Sequence, residues 1–341
     1  MTVTAVIPAD GLRRDWLAPF PLDIRLVLGV HRRGGGDPAF RIDAGGAIWR
    51  TSLTPAGPAT LRVTGRPAEP GPAGVPRPLS DPGPPSDPGP PSTAARRATR
   101  VSARAWGPGA DWLLAALPDL LGGSDEPAGF VPAHPLLRSM VARHPGARIG
   151  RSGRVLEALV PAVLEQKVVG LEAFRAWRLL LRRFGLPAPG PAPAGLVVCP
   201  PAATWAAIPS WEWHRAGVEG VRAATIAGAA RVAGRLEQIL TLPAAEADRR
   251  LRSLPGIGPW TSAEVRQRAC GDADAVSVGD YNLPGAVGWA LAGRVVDDAG
   301  MLELLAPYPG HRHRAARLVE LSGIRPPRRG HRMAVRDYRS I

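Results

Sequence analysis

The spacing of apolar and polar positions divides the chain into a β-rich beginning and a helical remainder. In the first part, short alternating or apolar runs are separated by Gly and Pro, which is typical of strands. The predicted strands are Pro21–Val30, Phe40–Arg50, Ala59–Val63 and Val101–Trp106. A helix is predicted at Ala110–Leu121, and from Pro135 onward apolar residues recur at helical spacing. These further helices are predicted at 136–144, 155–169, 171–184, 202–208, 222–240 and 244–254.

A Pro/Gly-rich segment interrupts the strands. It begins at Arg66, contains the sequence SDPGPP twice between Ser80 and Pro91, and extends to Arg100. Such a segment lacks apolar residues for a core and is predicted to be a disordered insert. The fold class is therefore predicted as α+β and mostly helical, with a small antiparallel sheet. Residues 1–130 are the N-terminal α/β domain with the insert 66–100, residues 131–325 the helical domain, and residues 326–341 a basic tail.

The cysteine content and the lack of long apolar runs indicate a cytoplasmic protein. Cys199 and Cys270 are the two cysteines, too few for a disulfide framework. No apolar run approaches the roughly 20 residues of a membrane-spanning helix. The first ten residues do not have the pattern of a secretion signal. We therefore expect a cytoplasmic location and no membrane partner.

The charge balance favours a polyanionic partner. The formal net charge is +14, and an excess of this size is typical of proteins that bind nucleic acid. A general compositional bias toward Ala, Gly, Pro and Arg explains the charge equally well. The chain contains one lysine, Lys167, so the positive charge comes almost entirely from arginine.

The segment Leu254–Val265, LPGIGPWTSAEV, has the pattern of two helices joined by a tight turn. Gly256 and Gly258 allow the backbone to approach another molecule closely, and Pro259 suits the first position of a helix. Free backbone amides at the start of that helix would bind a phosphate. The segment predicts a helix-hairpin-helix motif that holds the DNA backbone without reading sequence. An ordinary turn between two helices is the alternative.

Asp280 follows the hairpin at a distance that changes its interpretation. It lies twenty residues after Trp260, in the sequence VGDY at 278–281. By itself, Asp280 would be interpreted as a helix cap or a turn residue. The order of hairpin, helix, short apolar stretch and aspartate resembles the helix-hairpin-helix (HhH-GPD) DNA glycosylase superfamily, in which an aspartate at this distance is catalytic.

Three further segments extend this resemblance over most of the chain. Leu156–Phe174 is similar to the superfamily's helix and turn that enter the DNA, and Pro307–Arg312 to its last pocket element. The N-terminal strands resemble the additional domain of bacterial DNA-3-methyladenine glycosylase II. The resemblance implies a helix-hairpin-helix glycosylase fold for the helical domain.

The resemblance also assigns the residues of the base-binding site. It implies that Asp280 is the catalytic carboxylate, which stabilises the positive charge that develops on the sugar as the N-glycosidic bond breaks. Trp260, Tyr281 and Tyr308 occupy pocket positions, where aromatic faces attract a cationic base. Packing in the core is the alternative for each of them. Val30 stands where the resembled enzyme tends to have an aromatic residue.

A second set of residues is implied to contact DNA. These residues are Gln166, Lys167, Val168, Leu254, Gly256, Ile257, Gly258 and Thr261. Lys167 falls at the position of the side chain that fills the gap left by the extruded base. Its aliphatic stem suits that role while its ammonium group reaches a phosphate. An exposed lysine at a helix end is the alternative.

The resemblance and the residue counts limit the chemistry. Bifunctional relatives use a lysine at the start of the helix after the hairpin to form a Schiff base, and here that residue is Trp260. Two cysteines are too few for an iron–sulfur cluster. His311, His313 and His331 beside arginines indicate a basic surface rather than a metal site. We therefore expect no metal and no cofactor, with a monovalent cation at the hairpin left open.

These features together predict a monomeric, monofunctional DNA glycosylase that removes alkylated purines of the 3-methyladenine type from double-stranded DNA during base excision repair. A non-catalytic helix-hairpin-helix protein that binds DNA or damaged DNA is the alternative. Release of free base from methylated DNA separates the two.

Overall fold

A computed structural model describes residues 10–68 and 98–327 of the chain. Most of the predicted insert and nearly all of the predicted basic tail lie outside these described residues. His331 lies outside them as well. Within the described ranges, no helix is long and apolar enough to span a membrane.

The N-terminal region is a five-stranded antiparallel sheet, which confirms the predicted sheet. The strands are β1 (Leu12–Ala18), β2 (Phe40–Ile42), β3 (Ile48–Thr54), β4 (Gly57–Pro67) and β5 (Thr99–Trp106), in the order β1-β5-β4-β3-β2. Arg66 pairs with Arg100, and Pro67 pairs with Thr99. The predicted limits of the insert are therefore wrong, because both of its ends continue the ladder between two long strands.

The prediction of a strand at Pro21–Val30 is also wrong, because a short helix, α1 (Ile24–Gly29), occupies this position. Oδ1 of Asp23 accepts hydrogen bonds from the backbone amides of Arg25 and Leu26, at 2.9 and 3.0 Å. The cap satisfies amides that a helix start leaves free. Ile24, Val27 and Leu28 then fall on one buried face. The charged residues Asp23 and Arg25 alternate with apolar ones, and this alternation led to the prediction of a strand.

The helix predicted at 110–121 forms as two helices, α2 (Ala110–Ala115) and α3 (Leu117–Leu120). Apolar residues of both helices pack with one face of the sheet. This N-terminal core includes Leu28, Ile48, Leu61, Val101 and Leu117, each with no exposed surface.

The remainder of the chain is helical, with one small pair of strands, β6 (Leu186–Pro187) and β7 (Val197–Val198). Its helices are α4 (Pro135–Arg143), α5 (Val155–Leu164), α6 (Gly170–Phe184), α7 (Ala202–Ala207), α8 (Ser210–Ala216), α9 (Gly220–Arg231), α10 (Ala233–Glu237), α11 (Ala244–Arg252), α12 (Pro259–Val265), α13 (Leu283–Ala292), α14 (Asp298–Leu305) and α15 (Arg312–Ser322). The helix predicted at 155–169 ends at Leu164, and the one predicted at 222–240 divides at Val232.

Two apolar cores hold these helices together. The first surrounds α5, which is buried on all sides, and contains Leu159, Trp205, Ile226 and Leu251. The second joins α4 to α13, α14 and α15 through residues such as Met140 and Met301.

Buried polar contacts fix the sheet against the helices. The Glu157 carboxylate on α5 forms an ion pair with Arg50 on β3 and accepts a hydrogen bond from the Ser52 hydroxyl at 2.7 Å. The indole N–H of Trp177 on α6 donates to Asp37 at 2.9 Å. Because such partly buried contacts have strict geometry, they hold the two regions in one orientation and define the shape of the space between them.

Candidate functional site

The turn between α11 and α12 has the geometry of a hairpin that leaves its amides accessible. Gly256 has φ +84°, and a Cβ there would lie 2.1 Å from Oγ1 of Thr225, so this position requires glycine. Gly258 is exposed and precedes α12, and a Cβ on it would meet no atom within 4 Å. The backbone at Gly258 is therefore open to another molecule.

Two of the residues predicted to contact DNA turn their side chains inward instead. Ile257 packs in the α5 core, and Thr261 is buried. Leu254 is half-buried at the edge of the same core. Only the backbone of Ile257 and Thr261 can therefore contribute to an interface, which is consistent with a motif that binds phosphate through its amides.

The chain returns from α12 to the hairpin through a π-helical turn. The helix that follows the hairpin is regular only to Val265, and Arg266–Cys270 forms the π turn. The side-chain amide of Gln267 in this turn donates to the Ala275 carbonyl at 2.8 Å and to Oγ of Ser277 at 2.9 Å. These bonds bring the segment 275–278 alongside α12, so that Asp280 lies near the start of that helix.

Asp280 is held by three hydrogen bonds. Its Oδ1 accepts from the backbone amides of Asn282 and Leu283 at 2.8 and 2.9 Å, at the start of α13. Its Oδ2 accepts the indole N–H of Trp260 at 3.0 Å. Asp280 is therefore both the turn residue that its local sequence indicates and a fixed carboxylate on the wall of a cavity.

The cavity has a volume of about 1290 Å³ and lies between the N-terminal region and the helices. Asp280, Trp260 and Val30 line it, together with the aromatic residues Phe20, Phe130 and Phe174. These three phenylalanines were not identified from the sequence. They are far apart along the chain, and none lies within a recognisable motif.

The two predicted pocket tyrosines do not line the cavity. Tyr308 is buried in the core beside Phe130, with ring centroids 5.5 Å apart, and its hydroxyl oxygen accepts the amide of His134. Tyr281 is 91% exposed although it adjoins Asp280. Tyr308 therefore packs in the core, the alternative considered for it, whereas a role of Tyr281 in binding the base stays a prediction.

Two ion pairs form a polar side of the cavity. Oε1 of Glu165 lies 3.1 Å from Nε of Arg33, and Oε2 of Glu264 lies 2.7 Å from Arg268. Both arginines also donate to the Val30 carbonyl, at 2.8 and 3.0 Å. Burial raises the pKa of Glu165, and the guanidinium of Arg33 opposes this. The sequence has no local signal for the first pair, which joins distant segments, but Glu264 and Arg268 stand four residues apart, a spacing that could have indicated the second.

The two histidines proposed as part of a basic surface also line the cavity. Burial, reinforced by Arg268 and Arg317, lowers the pKa of His313 to about 3, so its imidazole is neutral. His311 accepts a hydrogen bond from Arg314 at 3.2 Å. Within residues 10–68 and 98–327, no group of three or more His, Cys, Asp or Glu side chains is arranged to hold a metal ion.

The turn between α5 and α6, which we name the Lys167 turn (residues 165–169), is tied to the hairpin. The side-chain amide of Gln166 donates to the Gly256 carbonyl at 2.9 Å and to Oγ1 of Thr261 at 2.8 Å. Lys167 is exposed at the tip with φ +54°, a left-handed conformation that costs energy for a residue other than glycine. Val168 is half-buried beside it. The structure thus brings together the two segments predicted to contact DNA.

The structure is similar to solved DNA glycosylases. A 3-methyladenine DNA-glycosylase from Archaeoglobus fulgidus superposes with a TM-score of 0.66 over 91% of this chain and 98% of that one, at 16% identity. An 8-oxoguanine glycosylase/lyase from Clostridium acetobutylicum, bound to double-stranded DNA, superposes with a TM-score of 0.62 over 92% of this chain and all (100%) of that one, at 11% identity. MBOgg1 in complex with a DNA ligand gives a TM-score of 0.65 over 92% of this chain and 97% of that one, at 13% identity.

No protein-family model and no curated protein matches the sequence. The structural similarity nevertheless extends over both the sheet and the helices. The chain has the fold of these solved DNA glycosylases, which agrees with the α+β, mostly helical fold that its sequence predicts.

Proposed function

We propose that this protein is a DNA glycosylase that hydrolyses the N-glycosidic bond of alkylated purines in double-stranded DNA and leaves the strand intact. The observation that carries the proposal is the position of Asp280. Its carboxylate is fixed on the wall of an aromatic cavity, next to a hairpin whose glycine backbone is open. A protein that only binds DNA has no need of such a carboxylate, and this argues against the non-catalytic alternative.

Asp280 acts on the sugar in this proposal. As the bond between C1′ and the base nitrogen breaks, its electron pair goes to the base and positive charge develops on the sugar. The Asp280 carboxylate stabilises that charge, and a water molecule adds its oxygen to C1′ while releasing a proton. An alkylated purine that already carries positive charge leaves as a neutral base, so this step requires no strong general acid.

The aromatic side chains bind the extruded base. Trp260, Phe130 and Phe174 line the same cavity as Asp280. A cationic purine against such faces gains about 0.5–2 kcal/mol for each favourable contact. The Archaeoglobus neighbour is a 3-methyladenine DNA-glycosylase, which supports alkylated purines as the substrate class. In this proposal Tyr281, which adjoins Asp280 and is exposed, contacts the DNA around the extruded nucleotide.

The hairpin and the Lys167 turn hold the duplex. The amides around Gly258 bind a phosphate, and Lys167 enters the gap from which the base has left. Extruding the base costs a few kcal/mol, and the aliphatic stem of Lys167 offsets part of that cost by contact with the neighbouring bases. The left-handed backbone at Lys167 projects this side chain from the tip of the turn.

The proposed reaction includes no lyase step. The Clostridium neighbour is a glycosylase/lyase, but in this chain the position at the start of α12 is occupied by Trp260, whose indole has no nucleophilic amine. Lys167, the single lysine of the sequence, lies at the exposed tip of a different turn.

The protein acts as a monomer without a redox or organic cofactor in this proposal. A monovalent cation at the hairpin would be held by backbone carbonyls. The carbonyl oxygens of Leu254 and Gly256 each accept one hydrogen bond, from the backbone amide of Ile257 and the side-chain amide of Gln166, and each keeps a second lone pair for such an ion.

The experiment that tests the function is release of free base from methylated double-stranded DNA by the wild type and by Asp280→Asn.

A further inference from the structure

Glu165 is a carboxylate on the cavity wall with one unused oxygen. It is the first residue of the Lys167 turn, and its side chain is 21% exposed. Its Oε1 faces Nε of Arg33 at 3.1 Å. Within residues 10–68 and 98–327, no protein group donates a hydrogen bond to its Oε2.

The two neighbouring carboxylates of the cavity differ from Glu165 in this respect. Oε1 of Glu264 accepts the Ser277 hydroxyl at 2.7 Å, and its Oε2 is paired with Arg268. Both oxygens of Asp280 accept hydrogen bonds from the protein. Glu165 is therefore the member of this group that remains ready to accept a hydrogen bond from a ligand.

The surroundings of Glu165 favour a ligand that is both a donor and a cation. Burial raises the pKa of its carboxyl group, Arg33 and Arg268 oppose this effect, and the smaller contributions of Glu264 and Asp280 add to it. A partly desolvated carboxylate oxygen without a donor is costly, and a ligand N–H removes that cost. Positive charge on the same ligand also relieves the repulsion among the three carboxylates.

We propose that Glu165 is a specificity-determining residue, whose Oε2 accepts an N–H from the edge of a positively charged purine. The inference rests on the proposed glycosylase function and narrows its substrate class. A purine methylated at a ring nitrogen carries delocalised positive charge and keeps an exocyclic amino group at its edge. Hypoxanthine is a purine of similar size with an N–H but no charge, so it gains less from Glu165.

The test is the ratio of two excision rates in one enzyme preparation. Single-turnover rates are measured on duplexes that contain 7-methylguanine or hypoxanthine, for the wild type and Glu165→Gln. Glutamine keeps the size and one acceptor but removes the charge. Because hydrogen bonds to charged groups are the stronger ones, the rate on 7-methylguanine should fall by about tenfold or more relative to that on hypoxanthine.

A matched control is Glu157→Gln. Glu157 lies on α5, the helix that leads into the Lys167 turn. Like Glu165, it pairs with an arginine of the N-terminal region, but it faces a separate small cavity of about 30 Å³. This variant should lose stability without changing the ratio of the two rates. If Glu165→Gln does not fold because Arg33 is left unpaired, the same ratio is measured on the double variant Arg33→Met, Glu165→Gln.

The possible outcomes separate the two proposals. A wild-type enzyme that releases no base contradicts the proposed function itself. A wild type that is active on 7-methylguanine, with an unchanged rate ratio in Glu165→Gln and in the double variant, contradicts only the role of Glu165. A selective loss on 7-methylguanine, absent in Glu157→Gln, supports it.

Discussion

Trp260 donates its indole N–H to Oδ2 of Asp280 at 3.0 Å. Twenty residues separate them in the sequence, and the π turn of Arg266–Cys270 lies between them. Oδ1 of the same carboxylate is fixed by two backbone amides at the start of α13. The contact joins the first turn of α12 to the loop before α13 and sets the direction in which the carboxylate faces the cavity.

Replacing Trp260 by Phe should slow base excision without weakening DNA binding. Phenylalanine keeps an aromatic face toward the cavity but cannot donate to Asp280. Loss of one hydrogen bond to a charged acceptor corresponds to roughly tenfold in the single-turnover rate. The measurement compares that rate with the dissociation constant for damaged duplex.

Trp211→Phe is the control for this variant. Trp211 lies on α8, is 65% exposed and does not line the cavity. Its substitution should leave the excision rate unchanged. A normal rate in Trp260→Phe would show that the hydrogen bond does not position the carboxylate.

Much of the site could be predicted from local sequence, because the hairpin and the aspartate are local motifs at a fixed distance. The requirement for glycine at 256 follows from the turn itself. The ion pairs of Glu165 with Arg33 and of Glu157 with Arg50 could not be predicted, since each joins segments more than a hundred residues apart. Tyr308 shows the opposite error, where a motif position suggested a pocket and the ring packs in the core.

Local patterns also misassigned one element of the fold. Leu22–Gly29 contains polar residues spaced so that strand and helix fit almost equally well. The cap at Asp23 and the burial of Ile24, Val27 and Leu28 against the sheet select the helix. Because that choice depends on packing with distant strands, the periodicity alone did not determine it.

Borohydride should fail to trap a covalent complex between this protein and damaged DNA. Reduction traps a Schiff base, which requires an amine beside the sugar, and the residue at the start of α12 is Trp260. The measurement is denaturing electrophoresis after reduction, with a glycosylase/lyase as the positive control. Efficient trapping that persists in Lys167→Arg would reveal another amine at the site, and trapping lost in that variant would assign it to Lys167.

DNA affinity should decrease when the open face of the hairpin is filled. In Gly258→Ala the new methyl group meets no protein atom within 4 Å and the residue has φ −94°, so the fold should be retained, with only a small decrease in melting temperature because alanine is a poorer N-cap than glycine. The methyl group would instead occupy space next to the phosphate, and the affinity for duplex DNA should fall several-fold.

The logarithm of the wild-type affinity for DNA should decrease linearly with the logarithm of the salt concentration, with a slope near 0.9 per phosphate contact.

Gly234→Ala is the matched control for Gly258→Ala, since it too adds a methyl group in open space but lies on α10. It should leave affinity unchanged. Equal affinities for Gly258→Ala and Gly234→Ala, or a wild-type affinity that does not respond to salt, would exclude the hairpin as the phosphate-binding element.

The most direct measurement of the central claim is the release of free base from methylated double-stranded DNA by the wild type and by Asp280→Asn. Asparagine has nearly the same size but no charge to stabilise the developing cation. The account predicts that the wild type releases 3-methyladenine and 7-methylguanine, and that Asp280→Asn binds the same DNA while its rate falls on the order of 10²-fold or more. Excision by Asp280→Asn at the wild-type rate, or no release by a folded wild type that binds the DNA, would contradict it.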